Sequence, residues 1–381
     1  MAARDWLISA DSHVIEPADL FVRALGRRYG DDTPRSIPEW KGRKGNFYFT
    51  GYEAYVTEAL VEGEGALQRK ILRASSDPYA RLDCDDEDGI LAEIINPTAM
   101  LYSMRIRNRR LAQDCCRVFN DWLAEQCTAD STRLLGTAVI FMEDVDWAVA
   151  ELERIAKKGM VGAMINCDAR PEWPRYRDKR YDKFWARAEA LGIPVVLHII
   201  TGNARDSFTM HGEERTEAPR TSWYLLTEAA PVLSAEFIFG GILDRFPKLK
   251  LVLSEYEVSW LVYWMFRAVQ RQKQLGPAIG MKMPKRPIKD YMRNVYHGTV
   301  DDPFVDRALG VVDMKTVLWG SDFPHPRCTY PNSHRAVKRA FGKLPAKTLR
   351  DITFGNAQRL YAIDVAAATA SARARARRAA E

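Results

Sequence analysis

The stretch ISADSHVIEP, residues 8–17, places Asp11 and His13 two positions apart at the end of a short apolar run. Side chains two apart on a strand point to the same side, so both can face one cavity. Such a pair has two ordinary explanations. The carboxylate orients the imidazole through a hydrogen bond, or both side chains bind a metal ion. The rest of the chain has to decide between them.

Apolar, β-rich runs recur along the whole chain and alternate with stretches of helical periodicity. The eight predicted strands are 6–10, 90–97, 134–141, 160–167, 193–200, 249–255, 294–300 and 316–322. Alternating strands and helices predict a parallel sheet, and strands that are apolar nearly throughout are typical of a sheet covered on both faces. Eight such strands favour a (β/α)8 TIM barrel. No G-x-G-x-x-G motif follows the first strand, which argues against an open dinucleotide-binding sheet.

The helix between strands three and four has the clearest pattern. Its apolar residues stand at 145, 148, 149, 152, 155 and 156, the stripe of an amphipathic helix. Asp144 suits the N-cap and Gly159 the position just after the last turn. This segment therefore predicts a helix that returns the chain to the next parallel strand.

Two connections are too long for plain turns between a strand and a helix. Residues 18–75 include the aromatic stretch GNFYFTGYEAYV (45–56), and residues 201–248 separate strands five and six. Long insertions in compact domains are usually functional or disordered. Here an ordered cap over the barrel mouth and an edge for self-association both remain open. We expect one domain over 1–365, then a low-complexity basic tail, 366–381, that is disordered or a frayed helix.

The composition is that of a globular enzyme-sized chain, with 381 residues, 47% hydrophobic and 28% charged. No run reaches the about 18 apolar residues of a membrane span, and MAARDWLISA does not resemble a signal peptide, so we expect a cytoplasmic protein. Of the net charge of +6, four arginines less one glutamate in the tail supply +3, which does not indicate nucleic-acid binding. The six cysteines lack C-x-x-C spacing and are expected to be reduced.

Polar residues stand at the carboxyl ends of further predicted strands, where TIM barrels carry their sites. His198 lies in VVLHII on strand five, Glu255 closes strand six in LSEYE, and Asp322 closes strand eight in WGSDFPH. Each has a structural alternative, since a buried histidine can be hydrogen-bonded and an aspartate can form a turn. Together with Asp11 and His13 they predict a divalent-cation site, because imidazole and carboxylate suit a borderline metal.

These stretches together resemble the amidohydrolase superfamily, and within it the amidohydrolase-2 branch of aminocarboxymuconate-semialdehyde and resorcylate-type decarboxylases. The resemblance runs from DSHVIEP through VVLH and DRFPKLKLVLSE to WGSDFPHP and FGNAQRLY. It implies a TIM barrel with one divalent ion, zinc in first place and manganese in second. The ligands it implies are Asp11, His13, His198 and Asp322.

The chain departs from this branch at the end of strand six, where relatives carry a histidine. Here the residues are Ser254 and Glu255. Either Glu255 takes over as acid, base or substrate-orienting group, or the chemistry differs. Strand four ends in Asn166 and Cys167 without a lysine. That favours one metal over two and weakens a Schiff-base aldolase, which needs a lysine in the barrel.

Four further side chains are candidates for substrate binding, each with a structural alternative. Glu16 either reaches the site or caps the next element, and His297 on strand seven contacts either substrate or the core. His211 lies in the long loop after strand five, where exposure is the default. Arg327, near Asp322, could bind a carboxylate through two parallel hydrogen bonds.

The leading functional hypothesis is non-oxidative decarboxylation of a small carboxylated substrate, with aromatic acids included. Asp322 or Glu255 would deliver a proton, and His198 would act at the metal. One alternative is metal-dependent hydrolysis of an amide, ester or lactone, with the same ligands. Another is a degenerate, non-catalytic barrel that acts as a binding module. We expect a small-molecule substrate and a homodimer or larger homo-oligomer, and neither a nucleic acid nor a membrane as partner.

Overall fold

Eight parallel strands stand at the centre of the molecule, in the order β1-β5-β6-β7-β8-β9-β10-β11. The structure, a computed structural model, describes residues 5–56, 65–202 and 229–378. The barrel strands are β1 Leu7–His13, β5 Ile90–Asn96, β6 Leu134–Val139, β7 Gly162–Ile165, β8 Val195–His198, β9 Leu251–Ser254, β10 Val295–Thr299 and β11 Val317–Trp319. They are the eight predicted strands, and the barrel expected from the sequence is confirmed.

Helices connect the strands and cover the barrel. They are α1 Leu20–Tyr29, α2 Ala66–Ala74, α3 Pro78–Asp88, α4 Arg109–Cys127, α5 Val145–Lys157, α6 Asp182–Leu191, α7 Ala230–Val232, α8 Ile242–Arg245, α9 Trp260–Gln270, α10 Gly276–Ala278, α11 Ile288–Tyr291, α12 Ser333–Phe341, α13 Ala346–Arg350, α14 Asn356–Tyr361 and α15 Val365–Arg378. Helix α5 begins as predicted, because the Asp144 carboxylate accepts a hydrogen bond from the Trp147 amide at 3.1 Å. Within the described ranges, no helix has the length and apolarity needed to span a membrane.

The first strand is longer than predicted, since β1 continues through His13 and pairs there with Asn96 of β5. Its register shifts between Ser9 and Ser12. Such an irregularity changes the direction of the following side chains. Asp11 and His13 therefore project from the strand itself and not from the loop after it.

The barrel closes where the first strand meets the segment after the last one. The Asp322 amide donates to the Asp11 carbonyl at 2.9 Å, and the His13 amide donates to the Phe323 carbonyl at 2.6 Å. The Ser321 amide donates to the Ser9 hydroxyl at 2.8 Å. We call this contact between residues 9–13 and 320–323 the seam. It brings Asp11 and His13 together with Asp322, a third candidate ligand from the other end of the sequence.

The insertion after β1 contains a second sheet, which is antiparallel and ordered β2-β3-β4. Its strands are β2 Arg35–Trp40, β3 Arg43–Phe49 and β4 Ala54–Val56. Buried Tyr48 packs against Phe21 of α1, with ring centroids 6.4 Å apart. The Arg107 guanidinium, which follows the second barrel strand, lies 3.7 Å from the centre of the Tyr52 ring. In the second insertion, residues 203–228 lie outside the described part of the chain.

Residues Val365–Arg378, most of the predicted basic tail, form the packed helix α15. One face of α15 buries Ala368 and Ala372. Arg375 pairs with Asp83 of α3 and, at 3.1 Å, with Asp86. Alanine is the strongest helix former, and these long-range contacts fix a segment whose composition alone suggested low complexity.

Gly320 tests how tightly the seam is packed. A Cβ atom at this position would lie 2.4 Å from the Cβ of Asp11. We expect Gly320→Ala to lower the free energy of unfolding by about 1–3 kcal/mol, because either the strand or the aspartate must move. Gly26→Ala is the control, since its Cβ meets only Val22 at an ordinary 3.6 Å. Urea unfolding measures both, and equal stability of the two variants would contradict the packing argument.

Candidate metal centre

Four side chains from the first, fifth and eighth barrel strands converge at the carboxyl end of the barrel. His13 Nε2 lies 3.4 Å from Asp11 Oδ1 and 3.6 Å from Asp322 Oδ1. His198 Nε2 lies 3.6 Å from the same Asp11 oxygen. Ligands bound about 2.1 Å from one tetrahedral ion stand about 3.4 Å apart. The spacing of Asp11, His13 and His198 therefore suits one common ion, while Asp322 lies in a second close group, with His13 and His325.

Each of the two imidazoles, His13 and His198, leaves one ring nitrogen, Nε2, directed into the cluster. His13 Nδ1 lies 2.7 Å from the Pro97 carbonyl, and His198 Nδ1 lies 2.9 Å from the Ile199 carbonyl. A carbonyl can only accept, so each ring carries its proton on Nδ1 and presents a lone pair at Nε2. Both Nε2 atoms are buried without a hydrogen-bond partner in the described structure. A buried unpaired nitrogen is costly, and a bound cation would satisfy both.

Asp11 is held by two hydrogen bonds that the sequence did not reveal. The Asn96 amide donates to Oδ1 at 2.7 Å, and the Ser254 hydroxyl donates to Oδ2 at 2.8 Å. Burial alone would raise the pKa of Asp11, but the charge of His198 and the closeness of both imidazoles to its Oδ1 hold it well below its usual range. Asp11 is therefore a fixed carboxylate. Ser254 stands where the family's strand-six histidine was expected, and here it orients a candidate ligand.

The charges within the cluster affect its two histidines in opposite directions. Burial, reinforced by repulsion from His325, lowers the pKa of His13 to about 4. Burial also disfavours a charged His198, but the Asp11 carboxylate outweighs it and raises the pKa of His198. A neutral His13 is ready to bind a cation, while His198 has to release any proton on Nε2 first.

His325 belongs to the site, although the sequence analysis did not single it out. Its Nδ1 lies 2.8 Å from Asp322 Oδ1, and its Nε2 lies 3.0 Å from the Thr98 hydroxyl. Its ring stacks on that of His13 with centroids 4.1 Å apart. Asp322 has a positive φ of 56°, a left-handed conformation that turns the chain sharply after β11. The signal in the sequence was the spacing of three residues within DFPH.

Glu255 approaches the cluster from the sixth barrel strand. Its Oε2 lies 3.6 Å from His198 Nε2, and its side chain is 21% exposed, against 3% for Asp11 and Asp322. Its backbone φ of 67° is again left-handed. A Cβ on Gly298 would lie 2.9 Å from the Glu255 amide nitrogen, so only glycine fits there. Glu255 is the acidic side chain of this group with the most access to the barrel mouth.

The other predicted substrate contacts are placed differently. Glu16 is buried, and its two carboxylate oxygens accept from the Ala99 and Met100 amides at 2.9 and 3.0 Å. It thereby joins the loop after β1 to the loop after β5. Arg327 is 63% exposed at its side chain and pairs with Asp301 at 3.2 Å. His211 lies outside the described residues.

His297 lies on the opposite face of its strand from the site. Ser254 faces the barrel interior, because it bonds to Asp11, so the neighbouring Leu253 faces outward. His297 pairs in register with Leu253 and shares that outward face. Both of its ring nitrogens are buried without a partner in the described part of the chain, and burial lowers its pKa to about 3.

This buried histidine should make the protein sensitive to acid. Between pH about 6.5 and 3 the unfolded chain binds a proton at His297 that the folded chain refuses, so stability falls as the pH falls. Between pH 7 and pH 5 the free energy of unfolding should fall by about 2 kcal/mol less in His297→Leu than in the wild type. His334→Gln, at an exposed histidine, should keep the wild-type loss. Urea unfolding at both pH values is the measurement, and an unchanged pH dependence in His297→Leu would refute the assignment.

Known proteins share both the sequence pattern and the architecture. The amidohydrolase family model matches residues 73–363. A gamma-resorcylate decarboxylase from Polaromonas sp. strain JS666 is 29% identical over 289 residues, which cover 73% of this chain and 85% of that protein.

Two solved structures extend the similarity to nearly the whole fold. An amidohydrolase from Mycobacterium avium subsp. paratuberculosis K-10 has a TM-score of 0.73 at 19% identity, covering 94% of this chain and all of the other (100%). A dihydroxybenzoic acid decarboxylase from Polaromonas sp. JS666, with bound manganese and the inhibitor 2-nitroresorcinol, has a TM-score of 0.60 at 21% identity, covering 94% and 97%. The family match over most of the chain confirms the resemblance found in the sequence, and this protein belongs to the amidohydrolase family.

Proposed function

We propose that this protein is a mononuclear metal-dependent decarboxylase of a small aromatic carboxylic acid. The observation that carries the proposal is the pair of buried, unpartnered Nε2 atoms of His13 and His198 beside two carboxylates. The relatives that act as gamma-resorcylate and dihydroxybenzoic acid decarboxylases support the choice of reaction. In the alternative reaction, hydrolysis, the same ligands would hold a metal ion that activates a bound water.

The proposed ligands are Asp11, His13, His198 and Asp322. Zinc is the first choice for this set, because imidazole and carboxylate ligands at these spacings suit tetrahedral coordination. Manganese is the second choice and is supported by the manganese in the Polaromonas structure. When bound, the ion supplies Lewis acidity that holds the substrate carboxylate and a neighbouring oxygen in a fixed orientation.

The chain's own residues position the substrate and move the proton. Glu255 faces the mouth and is proposed to orient the ring through a hydrogen bond to a substrate hydroxyl. Asp322 is the proposed proton donor, and its Oδ1 shares a hydrogen bond with a second titratable group, His325. Thr98 in turn contacts His325, so the side chains of Asp322, His325 and Thr98 form one hydrogen-bonded series.

The reaction balances without an oxidant or reductant. The bond between ring carbon and carboxylate carbon breaks, and its electron pair passes to the ring. The ring carbon takes one proton from the donor carboxyl, and carbon dioxide leaves. The donor is then a carboxylate, because its proton has gone to the ring carbon. An ordinary carboxyl is ionised at neutral pH, so this proton has to be resupplied before each turnover.

We further propose that the protein is a cytoplasmic homo-oligomer. All six cysteines are free thiols, which suits a reducing compartment. Large apolar side chains stand exposed on and after α9, namely Tyr263, Phe266 and Ile279. Exposed apolar side chains in one region support contact with another subunit.

His198→Ala tests the metal site directly. Losing a ligand should reduce bound metal from near-stoichiometric to below about a tenth, since even changes to groups behind the ligands cost about 10- to 100-fold in metal affinity. His334→Ala removes an exposed histidine and should leave metal content unchanged. Metal analysis of protein purified with added zinc or manganese gives the answer. Full metal content in His198→Ala would remove it from the ligand set, and metal-free wild type would favour the non-catalytic barrel.

Asp322→Asn and Glu255→Gln separate the donor from the orienting group. At saturating metal, and with metal content determined for each variant, we expect Asp322→Asn to lower kcat by about 10²–10⁴-fold, because asparagine carries no acidic proton. Glu255→Gln should act mainly on KM. The assay is carbon dioxide release from hydroxylated benzoic acids in deuterated water, with one deuterium expected at the vacated carbon.

Two outcomes of this assay would change the proposal. A larger loss of kcat in Glu255→Gln than in Asp322→Asn, with metal retained in both, would transfer the donor role to Glu255. If the wild type releases no carbon dioxide but cleaves amides, esters or lactones, the hydrolase replaces the decarboxylase.

A further inference from the structure

A buried ion pair lies behind the seam, on the outer side of the barrel. Arg81 of α3 and Glu93 of β5 are both almost wholly buried, with side-chain exposures of 2% and 1%. The guanidinium contacts the carboxylate with two of its nitrogens, Nε to Oε1 and Nη2 to Oε2, the second at 2.9 Å. Such a bidentate pair fixes the orientation of the arginine fork.

The same guanidinium reaches both sides of the seam. Its Nη1 donates to the His13 carbonyl at 2.6 Å, and its Nη2 lies 3.5 Å from the Phe323 carbonyl. The Phe323 ring is also 5.2 Å from the guanidinium carbon. His13 is a proposed ligand, and Phe323 directly follows the proposed ligand Asp322. One side chain thus contacts the backbone of the two segments that carry ligands from opposite ends of the chain.

Stability alone is a poor explanation for this pair. Removing two charges from water costs about as much as their attraction returns, and apolar replacements of buried pairs are often neutral or stabilising. What an apolar pair cannot do is donate to the two carbonyls. The distinctive contribution of Arg81 is therefore geometric, and it acts at the seam.

We propose that Arg81, oriented by Glu93, is a positioning residue for the metal centre. It holds the His13 and Phe323 carbonyls in fixed relation, so that the side chains of His13 and Asp322 meet at one point. Arg81 does not touch the metal or the substrate. The inference rests on the proposed metal site and deepens it, because it assigns the placement of two ligands to a residue outside the barrel.

The chain provides a matched control at the other end of the same strand. Arg133 is fully buried and donates to the Leu91 carbonyl at 2.8 Å and the Ile90 carbonyl at 3.0 Å. It also pairs with Asp86 at 2.8 Å. Arg133 therefore has the same chemistry as Arg81, an acidic partner and two backbone carbonyls. Its carbonyls lie at the amino end of β5, away from the metal centre.

The test compares metal affinity with stability in four variants of the full chain: Arg81→Lys, Arg81→Met, the double variant Arg81→Met/Glu93→Leu, and the control Arg133→Met. Zinc affinity is measured by competition with a chelator, and thermal unfolding of the metal-free protein is measured alongside. We expect all Arg81 variants that fold to bind zinc about 10- to 100-fold more weakly. Arg133→Met should lose stability but keep wild-type affinity.

The double variant keeps the test decisive if Arg81→Met does not fold, since it removes both charges of the Arg81–Glu93 pair together. Arg81→Lys retains the charge but lacks the fork needed to reach both the carboxylate and the carbonyls. Wild-type zinc affinity in a folded Arg81 variant, or an equal loss in Arg133→Met, would overturn the proposal. Failure of the metal site itself is distinguishable, because the wild type would then bind no zinc.

Discussion

The closure of the barrel between its first and last strands is the constraint on which the site depends. The hydrogen bonds from Asp322 to the Asp11 carbonyl and from His13 to the Phe323 carbonyl close the barrel and also hold the backbone of three candidate ligands. Because Gly320 leaves no space beside Asp11, the two segments cannot approach further without moving this candidate ligand. Architecture and chemistry are therefore fixed by the same few contacts.

Around this closure the protein keeps an unusual concentration of polar groups away from water. Asp11, His13, His198 and Asp322 are all nearly inaccessible, and buried charge is tolerated only when it is paired or binds a cation. The Asn96 and Ser254 hydrogen bonds restrain Asp11, while the backbone carbonyls restrain both imidazoles. The unsatisfied atoms that remain face one another, which is how a preformed cation site differs from an ordinary polar core.

The sequence predicted the strands and the polar residues at their ends, because apolar β-rich runs and strand-end side chains are local signals. It could not predict which neighbour restrains each ligand. The contact of His325 with Asp322 depends on a left-handed turn, and Asn96 meets Asp11 only once two strands pair. The packing of α15 was missed for the same reason, since Arg375 pairs with Asp86, which lies far away in the sequence. Glu16 was placed in the correct loop, but its backbone partners come from another.

The distance in sequence between the two sides of the seam affects how the candidate metal centre is assembled during folding. More than 300 positions of the chain separate residues 9–13 from residues 320–323. The first strand pairs with the nearby β5, but Asp322 reaches Asp11 and His13 only when the two distant segments meet at the seam. The proposed set of four ligands is therefore complete only after the barrel has closed, which makes metal binding depend on the folding of the whole barrel.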